Sequence, residues 1–87
     1  MYHQLLDPLI EYDQKHHGEL EMTFYYYLLY DGHHQAMSKH LYMHRNTINY
    51  RLAKIKELLG SDLSSFEEKM PYMLAFYIKK MLQKKIR

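Results

Sequence analysis

Arg45, Asn46, Asn49 and Tyr50 share one side of a helix by their spacing, and each carries a group able to hydrogen-bond a nucleic acid. Arginine pairs with guanine in bidentate fashion and asparagine with adenine, and all four side chains can also reach phosphate oxygens. Ala53 and Lys54 continue away from the core on the same helix. Ile48, Leu52, Ile55 and Leu59 recur in steps of four, three and four, an apolar stripe that holds the helix to a core and turns the polar side outward. Gly60 takes a left-handed conformation readily, so a recognition helix is expected over residues 45–59.

The neighbouring segments must set the angle of this helix. After Gly32, the stretch from His33 to Leu41 reads as a short helix, and Tyr42-Met43-His44 interrupts it before the longer one. A short helix, a three-residue turn and a longer helix make a helix-turn-helix at about residues 33–59. Met43 and Ile48 are expected to plug the angle between the two helices, with Ser38 as the small residue where they cross. The first turn of a recognition helix enters the major groove, and its unpaired amides favour a phosphate. Arg45, Asn46, Asn49 and Tyr50 are therefore the base-reading candidates. Lys39, Tyr42, His44, Thr47, Arg51 and Lys54 are the phosphate candidates, with an intramolecular salt bridge as the alternative for Arg51 and a helix cap for His44.

Upstream, Asp7-Pro8 reads as a helix start, with Asp7 capping and Pro8 at a position whose N–H is not needed. That helix is expected over Pro8 to His17 with Gly18 as its stop. Glu19 to Asp31 follows, with acids in its first turn and Gly32 as terminator. The run Phe24-Tyr25-Tyr26-Tyr27-Leu28-Leu29-Tyr30 is apolar on every side. Leu20, Phe24, Tyr27 and Leu28 share a core face. Tyr25, Tyr26, Leu29 and Tyr30 face elsewhere, either into a second buried surface or into a dimer or domain interface. Downstream, Ser65-Phe66-Glu67-Glu68 has capping-box spacing, and Pro71 leaves two options: a last helix that begins there, or one that kinks there. Leu74, Tyr77, Ile78, Met81 and Leu82 keep helical period, and this last helix is expected to close the core.

Eighty-seven residues with 47% hydrophobic content fit one folded domain. The absence of cysteine removes disulfides and thiolate chemistry. Charge is unevenly spread: residues 1–31 hold six acids against Lys15 alone, whereas residues 32–56 hold five cations and no acid. Such polarity points the middle of the chain at a polyanion. No apolar run approaches the roughly 20 residues of a membrane span, and no signal sequence opens the chain, so a cytoplasmic protein without membrane contact is expected. The seven histidines include the adjacent pairs His16-His17 and His33-His34, but neighbours on a helix do not converge on one metal. No metal site, cofactor or catalytic constellation is expected, and the chain reads as no enzyme.

Taken with these features, the chain resembles the C-terminal helix-turn-helix domain of the PucR family of bacterial transcriptional regulators, which includes sugar-diacid regulators of the CdaR type. The resemblance begins at Leu5-Leu6-Asp7-Pro8-Leu9 with Tyr12-Asp13 and passes through Asp31-Gly32. It is strongest from Leu41 to Leu52, where His44-Arg45-Asn46-Thr47 leads into Tyr50-Arg51-Leu52, and closes on Ile55 and Leu58-Leu59-Gly60. Ser38 stands where the family usually has alanine, Asn49 where a basic residue is frequent, and Pro71 where the final helix usually runs on. The resemblance implies an all-α, five-helix domain with a Fis-like helix-turn-helix, lying at the C-terminal end of a longer regulator with upstream sensor domains.

The leading expectation is sequence-specific binding of a double-stranded DNA operator by a homodimer on paired half-sites. The alternative is a helical protein–protein interaction or dimerisation module that uses the Tyr25, Tyr26 and Tyr30 face. A steep salt dependence of DNA binding belongs only to the first.

Overall fold

The computed structural model describes residues 2–86, with side chains described for residues 4–84. A 3₁₀ turn, Tyr2–Leu6, leads into five α-helices: α1 (Asp7–His16), α2 (Leu20–Leu29), α3 (His34–Leu41), α4 (Arg45–Leu59) and α5 (Phe66–Ile86). Among the described residues there is no strand, and the domain is all-α. No helix is long and apolar enough to cross a membrane.

Phe24 sits at the centre, fully buried, with the rings of Tyr72 and Phe76 edge-on at 5.4 and 5.8 Å. Offset and edge-on ring pairs at this range are favourable beyond their area burial. They tie α2 to α5. Met37 and Ile48, both fully buried, fill the angle between α3 and α4, and half-buried Met43 packs beside them. Leu52 and Ile55 continue the α4 stripe into the same core. The N-terminal turn lies along α5 and buries Leu6 completely.

Helix starts differ from local expectation in two places. Asp7 does not cap α1: the 3₁₀ turn runs straight into the helix, Leu6 occupies the cap position, and no side chain bonds there. The capping carboxylate is Asp13, which accepts from the backbone N–H of Leu20 at 2.8 Å and of Glu21 at 3.0 Å. A side chain near the end of α1 thus satisfies the orphan amides that open α2. Gly18 makes room for it, since a Cβ there would stand 2.9 Å from Asp13 Oδ1. His17, not Gly18, takes the left-handed position that ends α1. Gly60 ends α4 at φ 67°, as its type predicts.

Helix α5 starts at Phe66 and runs through Pro71. The Ser65 hydroxyl accepts from Glu68 N at 3.1 Å, the cap that the Ser65-to-Glu68 spacing predicts. The face of α5 that closes the core is Tyr72, Ala75 and Phe76, which corrects the expected face: Leu74, Tyr77, Met81 and Leu82 are exposed. Leu63, in the preceding loop, is a non-glycine residue at φ 55° whose side chain is buried. Its packing offsets the roughly 1–2 kcal/mol that left-handed geometry costs.

Candidate nucleic-acid interface

The α3–turn–α4 unit is latched by Ser38. Its carbonyl accepts from the N–H groups of Tyr42 and Met43, and its hydroxyl donates to Met43 O. In this chain the small side chain at Ser38 adds a hydroxyl bond to the turn as well as leaving room for it. Tyr42 ends α3 at φ 53°, and its side chain is 96% exposed. His44 caps α4, its Nδ1 accepting from Asn46 N at 3.0 Å. A neutral ring that accepts at Nδ1 carries its proton on Nε2, a donor that a phosphate oxygen can accept.

Beyond the cap, Arg45, Asn46, Asn49, Tyr50 and Ala53 are all exposed, while Ile48, Leu52 and Ile55 on the other side are buried. The division between the exposed polar face and the buried apolar face follows the helical period. Among the described residues, Arg45 and Lys39 take part in no ion pair, and the side chains of Asn46, Asn49 and Tyr50 make no hydrogen bond within the chain. Thr47 is half-buried at the edge of this face. Lys54 lies 3.6 Å from Glu57 Oε2 and 5.6 Å from the centre of the Tyr12 ring. Glu57, exposed in the last turn of α4, sets an acidic limit to the basic surface.

Arg51 is engaged inside the domain. Its guanidinium meets Glu19 Oε1 and Thr23 Oγ1, each at 3.3 Å. Glu21 pairs with Lys79 and Asp31 with Lys69. Three acids of the first third are thereby spent on α4 and α5 side chains, while Arg45 and Lys39 keep their charge free.

The tyrosines of α2 divide between two neighbours. Tyr25 is edge-on to Phe76 at 5.4 Å, and Lys80 Nζ donates to its hydroxyl at 2.6 Å. The Tyr26 ring lies tilted against that of His40 with centroids 4.9 Å apart, and the Tyr30 hydroxyl bonds His40 Nδ1 at 2.9 Å. All three are half-buried, and only Leu29, 58% exposed, faces fully outward. Sequence reasoning had no signal for the left-handed Tyr42, because no glycine or asparagine marks it. Among the described residues, no group of three or more His, Asp or Glu residues is gathered to hold a metal.

The model of the PucR C-terminal helix-turn-helix domain matches residues 20–78, from the start of α2 into α5. The purine catabolism regulatory protein of Bacillus subtilis is 36% identical over 81 residues, 93% of this chain and 15% of that protein. The DNA-binding transcriptional activator AdeR of B. subtilis is 30% identical over 80 residues, 92% of this chain and 19% of its own length. The carbohydrate diacid regulator of Escherichia coli is 44% identical over 43 residues, 49% of this chain and 11% of that regulator. The chain thus spans under a fifth of the length of these relatives. No solved structure gives a significant match.

Proposed function

Because this chain belongs to the family of PucR C-terminal helix-turn-helix domains, we propose that it is the DNA-binding output domain of a longer transcriptional regulator, with sensor regions upstream. It reads double-stranded DNA by setting α4 into the major groove. The single observation that carries this is the free polar face of α4: Arg45, Asn46, Asn49 and Tyr50 are exposed beside a buried stripe, and among the described residues their side chains make no hydrogen bond or ion pair. An arginine and two asparagines left unpaired on a rigid helix are groups suited to guanine and adenine edges.

Lys39, Tyr42, Thr47, Lys54 and the Nε2 of His44 fix the register by holding phosphates on either side of the reading residues. Arg51 supports the site mainly from behind, by keeping α4 on α2. Two copies on paired half-sites about 34–36 Å apart would present two α4 helices to successive major grooves.

Selection of bound duplexes from a random pool, followed by titration of the selected and scrambled duplexes at several salt concentrations, tests this. The expected result is an enriched symmetric site and a steep negative salt slope. Arg45→Ala should lose about 1–3 kcal/mol of specific binding and relax specificity at one position, while Lys39→Ala weakens all sequences alike and lowers the slope by about one unit. An absence of salt-dependent duplex binding would overturn the proposal.

A further inference from the structure

Helix α5 carries two apolar faces. Tyr72, Ala75 and Phe76 pack into the core. On the opposite side, Phe66, Met70, Met73, Leu74, Tyr77 and Met81 form one stripe, each 40–63% exposed. A surface helix with a single neighbour keeps its far side polar, so a second apolar stripe calls for a second neighbour. Residues 66, 70, 73 and 77 step by four, three and four, the spacing of a helix–helix seam. Beside the seam, an open groove of about 270 Å³ is lined by Leu28, Leu29, Met73 and Tyr77, with Lys80 and Tyr25 among its other walls. The exposed Leu29 extends the apolar surface onto α2.

The charges choose the occupant. The helix begins with Glu67 and Glu68 and carries Lys80 and Lys84 near its end. Among the described residues, Glu67 and Lys84 are exposed and take part in no ion pair. We infer that the occupant is a second copy of this chain, docked antiparallel along α5 about a two-fold axis that passes between Met73 and Tyr77. Met73 then meets Tyr77 of the partner subunit, Met70 meets Met81 of the partner subunit, and Glu67 lies beside Lys84 of the partner subunit. A parallel arrangement would set Glu67 against its own copy and Lys84 against its own copy, so the helix complements itself in one direction only. The contact deepens the DNA-binding reading, on which its purpose rests, by giving that reading a dimer surface on a helix other than α4.

Sedimentation equilibrium of the 87-residue chain from about 1 μM to about 1 mM tests the contact. A concentration-dependent dimer is expected. Tyr77→Glu should raise its dissociation constant about tenfold or more, with an unchanged melting temperature because that side chain is 63% exposed. Glu67→Lys should weaken the dimer, and Glu67→Lys combined with Lys84→Glu should restore it. A wild-type chain that stays monomeric throughout, or a Tyr77→Glu variant that dimerises as the wild type does, overturns the contact; a double exchange that fails to restore overturns the antiparallel register. Binding to a duplex with one half-site separates the two readings. If it persists while dimerisation fails, only the α5 contact falls; if the wild type dimerises but binds no half-site, only the DNA reading falls.

Discussion

Arg51 Nη1 lies 3.3 Å from Glu19 Oε1 and equally far from Thr23 Oγ1, so the second arginine of α4 is held by α2. Thr23 is fully buried and donates to Glu19 O at 2.7 Å, which leaves its hydroxyl oxygen free to accept from the guanidinium. The ion pair is partly screened, since the Glu19 side chain is 59% exposed and that of Arg51 22%. A double-mutant cycle with Arg51→Ala and Glu19→Ala should therefore give a coupling of only about 0.2–1 kcal/mol in urea unfolding. The salt slope of DNA binding should be unchanged in Arg51→Ala. A fall of one unit would assign Arg51 to a phosphate instead.

Tyr42 combines a left-handed backbone with a side chain that is 96% exposed. Left-handed geometry costs a non-glycine residue roughly 1–2 kcal/mol. Leu63 recovers such a cost through burial, whereas the Tyr42 side chain stays almost wholly exposed. Backbone strain of this kind clusters at functional sites. Tyr42→Gly should leave the melting temperature unchanged or raise it, while DNA affinity falls for specific and scrambled duplexes by a similar factor. Loss of stability with retained binding would remove Tyr42 from the interface.

These two residues mark where the sequence was legible and where it was not. The α4 stripe and its end at Gly60 follow from local period and local conformational freedom, so Ile48, Leu52 and Ile55 lie where their spacing puts them. The capping of α2 by Asp13 depends on how two helices meet, and no local rule singles Asp13 out over Asp7. The face of α5 shows the same limit. Period reveals that Leu74, Tyr77 and Met81 line up, but not that Tyr72, Ala75 and Phe76 fill the core. Tyr25, Tyr26 and Tyr30 were legible as a surplus of aromatic surface. Their division between Phe76 and His40 required the packed neighbours.

Asp13 gives a direct measure of the long-range cap. Its carboxylate satisfies two backbone amides of α2, where an alanine leaves both without a side-chain partner. Asp13→Ala should cost about 1–2 kcal/mol in urea unfolding, and Asp13→Asn less, since the amide keeps one accepting oxygen. Gly18→Ala should destabilise through the same contact, because the new Cβ would press on Asp13 Oδ1 at 2.9 Å. Asp7→Ala, at a position with no capping bond, should stay within about 0.5 kcal/mol of wild type. A larger loss for Asp7 than for Asp13 would reverse the assignment of the cap.

Glu68 makes the linker between α4 and α5 sensitive to acid. Its carboxylate accepts from the Ser64 and Ser61 hydroxyls at 3.0 Å each, and from Ser64 N and the Ser65 hydroxyl at 3.3 Å each. The Ser64 hydroxyl, followed by that of Ser61, holds its pKa below the ordinary value of 4.5. A folded-state pKa below the unfolded one adds stability that is fully present above the unfolded value and is lost as pH falls through the folded one. The difference in urea midpoint between wild type and Glu68→Gln should therefore be largest near neutral pH and narrow as pH is taken below about 4.5. A difference that stays constant across that window would show that the carboxylate charge contributes nothing. At the alkaline end, burial raises the Tyr72 hydroxyl first and the Glu68 charge raises it further. Removing that charge should bring Tyr72 ionisation to lower pH, visible as an earlier rise in tyrosinate absorbance in Glu68→Gln than in wild type.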